Sequence, residues 1–68
     1  MKIRFSEHIS HSHREGILGE IEEMGATPEK LEQDGYVITV SKSKWYRFVV
    51  EFLRREQQLG NLELDESR

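Results

Sequence analysis

The sequence predicts an α+β fold: a small two-layer β-α-(short α)-β-α-β sandwich with two helices on one face of a three-stranded sheet. Three stretches carry this prediction. Lys2 to Phe5 alternates charged and apolar residues, the period of a half-buried strand. Ile17, Leu18, Ile21 and Met24 recur at the spacing of one helical face. Tyr36 to Val40 is β-branched and aromatic with apolar groups on both faces, as a central strand requires.

Taken in order, the first strand turns Ile3 and Phe5 inward and Lys2 and Arg4 outward. A polar, His-bearing stretch from Ser6 to Ser12 leads into the first helix, with Ser12 and Glu15 as a capping box and Gly25 past its end. Thr27 then reads as an N-cap and Pro28 as a first helical position, which predicts a short helical turn from Pro28 to Gln33 stopped by Asp34-Gly35. Lys44 to Leu59 is assigned as the second long helix, because Trp45, Phe48, Val49, Phe52, Leu53 and Leu59 fit a helical stripe and Gly60 follows. A hairpin is the rival, since Tyr46, Phe48, Val50 and Phe52 also alternate. It is disfavoured because Ser41 to Lys44 lacks the Gly, Asn or Pro of a tight turn. Leu62 and Leu64 predict an edge strand within Asn61 to Asp65, followed by a frayed tail at 66–68. A right-handed crossover would make the first and second strands parallel neighbours. The uncovered face of the sheet, with Val37 in it, is then expected to mediate dimerisation.

The 68 residues allow one domain, 1–68, with a thin core: 35% are hydrophobic and 34% charged. Chain ordering costs roughly 1.5 kcal/mol per residue, and with no cysteine available a partner chain or a metal becomes the expected reinforcement. No signal-type or membrane-spanning apolar run is present, so a cytoplasmic location without membrane contact is expected. The net charge of −3 is uneven. Residues 1–34 hold four cations against eight acids, whereas residues 35–58 hold five cations against two.

Two clusters are candidate binding sites. His8, His11 and His13 are imidazole donors that Glu7 or Glu15 could complete into a metal site, although without thiolates they read more simply as exposed loop and cap residues. In Lys42-Ser43-Lys44-Trp45-Tyr46-Arg47, three cations at a helix start oppose the helix dipole, and a bound phosphate would compensate. Parallel strands would bring the two clusters to one end of the sheet, joining His8, His11, Arg14, Lys42, Lys44 and Arg47 into a cationic edge. At the far end, Glu20, Glu22 and Glu23 would pair with Arg54 and Arg55. Gly16 and Gly19 have the spacing of a GxxG nucleic-acid loop but flank apolar residues, and read as close packing of the helix on the sheet.

Catalysis has no signature here: there is no Cys nucleophile, Gly-rich phosphate loop, His-Glu-x-x-His pattern or serine elbow, and no cofactor is expected. The leading expectation is a non-catalytic interaction protein, a small regulator or inhibitor, with a protein partner and a capacity to form homodimers. The alternative is a nucleic-acid- or phosphate-binding module using Lys42, Lys44, Trp45 and Arg47 with Arg14 and the histidines. A metal-binding protein built on the His run is the third.

Overall fold

A computed structural model describes residues 1–66 and contains β1 (Lys2–Phe5), α1 (His11–Glu23), β2 (Ala26–Lys30), β3 (Tyr36–Val40), α2 (Ser43–Gln58) and β4 (Leu62–Asp65). The α+β class and both long helices are as expected. The sheet, however, has four strands rather than three, all antiparallel, in the order β2-β3-β1-β4. This is the split β-α-β connectivity of ferredoxin-like domains, in which β1 and β2 run the same way with β3 between them.

The added strand replaces the short helical turn expected from Pro28 to Gln33. Ala26 to Lys30 pairs residue for residue with β3, from Ala26↔Val40 to Lys30↔Tyr36. Pro28 has no N–H to give a ladder, and β2 lies at the sheet edge, where that loss is tolerated. The Thr-Pro pair is thus a helix start by local propensity and an edge strand by pairing, and the five paired residues outweigh the local preference. Because β2 takes the far end of the crossover and β3 returns from it, β1 and β3 are neighbours but antiparallel.

Both helices pack on one face. Ile3, Phe5, Ala26, Ile38 and Leu62 of the strands form a single buried cluster with Ile17, Leu18 and Ile21 of α1 and Val49 and Leu53 of α2. The opposite face carries Lys2, Arg4, Thr27, Glu29, Thr39, Glu63 and Asp65 around a partly buried Val37, with Arg4 bonded to Glu63 at 3.0 Å. That face is solvated and charged, which removes the apolar surface through which dimerisation was expected.

Helix α1 begins two residues before the expected cap. Ser10 Oγ accepts a hydrogen bond from the His13 N–H at 3.1 Å, and Ile9, buried in the core just before it, brings the chain onto the sheet earlier. Gly25, at φ 85°, ends the helix as expected. Gly16 and Gly19 do not pack on the sheet: both are exposed, with no atom within 4 Å of where a Cβ would stand. The inward positions of α1 are 17, 18 and 21, and residues 16 and 19 fall on the other side of the helix.

The β4 edge is partly covered, because the Leu64 N–H donates to Gln57 Oε1 at 2.7 Å. Beyond it Glu66, expected to be frayed, is held by two bonds from Arg54, at 2.8 and 2.6 Å; residues 67 and 68 lie outside the described residues. The hydrogen bond from Arg54 and its charge hold the Glu66 carboxyl below its ordinary range. A lowered carboxylate contributes stability that is fully present above the ordinary glutamate value of about 4.3 and is lost as pH falls through the folded-state value. The pair is solvent-exposed, so this contribution is small. An NMR pH titration of the Glu66 side chain is expected to show a midpoint that moves upward in Arg54→Ala; equal midpoints in both proteins would show that the pair does not persist in solution.

Candidate interaction surface

The first turn of α2 is electrostatically unsupported. Lys42 is its N-cap, in extended geometry and without a side-chain cap bond, and no acid lies in the first turn. Arg47 is neutralised one turn on by Glu51 at 3.0 Å. Lys42 and Lys44 have no ion-pair partner among the described residues.

The apolar residues of α2 divide between two directions. Val49, Val50 and Leu53 face the core and are buried. Trp45, Phe48, Phe52 and Leu59 recur at spacings of three, four and seven, so they form a second stripe beside it. Phe52 packs against the core edge, but Trp45 is 38% exposed, Phe48 55% and Leu59 64%. The Trp45 and Phe48 rings touch, with centroids 5.6 Å apart. Scattered exposed apolar residues are ordinary, whereas here two exposed rings in contact lie beside Lys42 and Lys44 at the start of α2. Phe48 and Leu59 were not among the sequence-predicted site residues. The signal that could have found them is the width of the apolar arc on α2, broader than one sheet-facing stripe needs.

The cationic edge expected from the sequence does not form. Since β1 and β3 are antiparallel, the chain leaves them at opposite ends of the sheet. At one end the Ser6 hydroxyl donates to the Gly60 carbonyl at 2.6 Å; at the other the Ser41 hydroxyl reaches the Gly25 carbonyl at 3.5 Å. His8, His11 and Arg14 therefore lie near the first end, and Lys42, Lys44, Trp45 and Arg47 near the second. The helices are antiparallel as well, with His13 3.9 Å from Glu56, so Glu20, Glu22 and Glu23 are far from Arg54 and Arg55 and form none of the pairs expected.

The histidines also disperse. His8 is exposed in the β1–α1 loop, His11 pairs with Glu15 at 3.6 Å, and His13 turns toward Glu56. Among the described residues no three His, Asp or Glu side chains converge on a point where a metal ion could sit. Arg14 is a clamp: it donates to the Ser6 carbonyl at 3.1 Å and lies over the Phe5 ring at 5.8 Å, its Nε buried without a hydrogen-bond partner. Beside it opens a cleft of about 420 Å³ floored by Phe5 and Tyr36. Glu7, Glu15 and Asp34 line this cleft with Arg14 and Lys30, so it holds no excess of positive charge to attract a phosphate.

No protein-family model, curated protein or solved structure matches this chain. Among the described residues no helix is long and apolar enough to cross a membrane.

Proposed function

We propose that the protein is a non-catalytic interaction module that binds a protein partner through the outer side of α2. The exposure of Trp45, Phe48 and Leu59 along one stripe supports this reading most directly. Burying side chains of this size on a partner contributes about 1.5–3 kcal/mol each, and aromatic residues are the usual anchors of protein interfaces. Lys42 and Lys44 form a polar rim that steers an acidic partner and leaves the strip to supply affinity.

Nucleic acid is the second reading, favoured by two unpaired lysines beside an exposed tryptophan. Against it stand the net charge of −3, the pairing of Arg47 with Glu51, and an open sheet face with no aromatic residue on which a base could stack. Affinity capture with tagged wild-type and Phe48→Glu chains separates the two. The expected result is at least about a tenfold loss of co-purifying protein in the variant, with circular dichroism unchanged and no effect of nuclease. Equal recovery by both chains would overturn the reading. Loss on nuclease treatment would transfer it to nucleic acid.

A further inference from the structure

We propose that the partner of this surface is a second copy of the chain, docked so that α2 of each copy lies on α1 of the other. The proposal rests on the reading of α2 as a contact surface and names what covers it.

Charge selects this occupant. Helix α1 carries Glu15, Glu20, Glu22 and Glu23 against Arg14, while α2 carries Lys44, Arg47, Arg54 and Arg55 against Glu51 and Glu56. The two helices thus have opposite net charge and share one layer of the fold. A two-fold axis lying in the contact plane and parallel to the helices sets each α1 over the other copy's α2. Because the helices are antiparallel, the start of α2 then meets the end of α1, and Lys42 and Lys44 face Glu20 and Glu23. None of these four has an ion-pair partner within its own chain among the described residues.

Shape agrees with charge. Counted from the His13–Glu56 contact, Gly19 lies six residues along α1 and Phe48 eight residues along α2 in the same direction, a difference in level of about 3 Å. The exposed Phe48 therefore stands near the level of Gly19, where α1 leaves the surface without a side chain, and Gly16 extends the same bare strip about one turn further.

The test uses two charge-reversed chains measured by sedimentation from about 1 µM to about 1 mM, the range in which weak dimers dissociate. One chain is Lys42→Glu with Lys44→Glu; the other is Glu20→Lys with Glu23→Lys. Each pair of substitutions suits the dipole of its own helix, so loss of assembly is not loss of fold. Wild type is expected to be dimeric in the upper part of that range, each reversed chain alone about tenfold weaker, and their equimolar mixture restored as a heterodimer. Phe48→Glu is expected to be monomeric throughout. A monomeric wild type, a mixture no tighter than its components, or a dimer indifferent to Phe48→Glu would each overturn the proposal. The affinity-capture comparison would still report on the contact surface itself.

Discussion

Gly35→Ala is expected to destabilise the protein by about 3 kcal/mol, read as a lower urea midpoint at unchanged slope. Gly35 closes the β2–β3 hairpin, where the Leu31 N–H donates to its carbonyl at 3.0 Å. Its φ of 129° is one that L residues rarely adopt, and an added Cβ would stand 2.8 Å from the Ile3 carbonyl oxygen. That oxygen belongs to the backbone of β1, so no side-chain rotation relieves the overlap. The strand would have to move, and with it Ile3 and Phe5 of the core. Small domains hold at the low end of about 5–15 kcal/mol, so a large part of the stability is at stake. Gly60→Ala is the control: its φ is 81°, but the space around it is open, and a loss of about 1 kcal/mol from backbone strain alone is expected. Equal losses in the two variants would show that the Ile3 carbonyl contributes nothing.

Leu53→Ala is expected to cost about 3 kcal/mol, within the range for fully buried leucines, through lost burial and the cavity left behind. Leu53 is sealed from solvent and belongs to the single cluster that joins α2 to the sheet. Ile21 and Val49 of the same cluster are sealed too, and α1 and α2 pack on different strands, so the site cannot collapse freely. The thermal midpoint should fall by roughly 12–24 °C in a domain of this size, measured at one fixed protein concentration. A change below about 1 kcal/mol would mean that α2 does not dock through this face.

The pattern of apolar residues made much of the fold legible. The Leu53 stripe, the alternation of Ile3 and Phe5, and the glycines that close α1 and α2 are local signals whose period or backbone geometry carries their meaning. Pro28 suits both the first turn of a helix and an edge strand, and only pairing with β3 distinguishes them. That one strand had consequences at distance. It reversed β3 relative to β1, separated Arg14 from Lys42 and Lys44, and dissolved the cationic edge expected from the sequence.

Composition and periodicity by themselves determined the class of the fold, its two long helices and its central strand. Side-chain period and glycine geometry are properties of a few adjacent residues, and they survive without knowledge of the rest. Tertiary structure alone decided strand order, the polar character of the open sheet face, and which apolar residues of α2 remain outside. Trp45, Phe48 and Leu59 differ from Val49 and Leu53 only in how far around the helix they lie from the sheet. That angle acquires meaning once the helix is docked, because the limited width of the sheet and of α1 sets how much of the apolar arc can be covered.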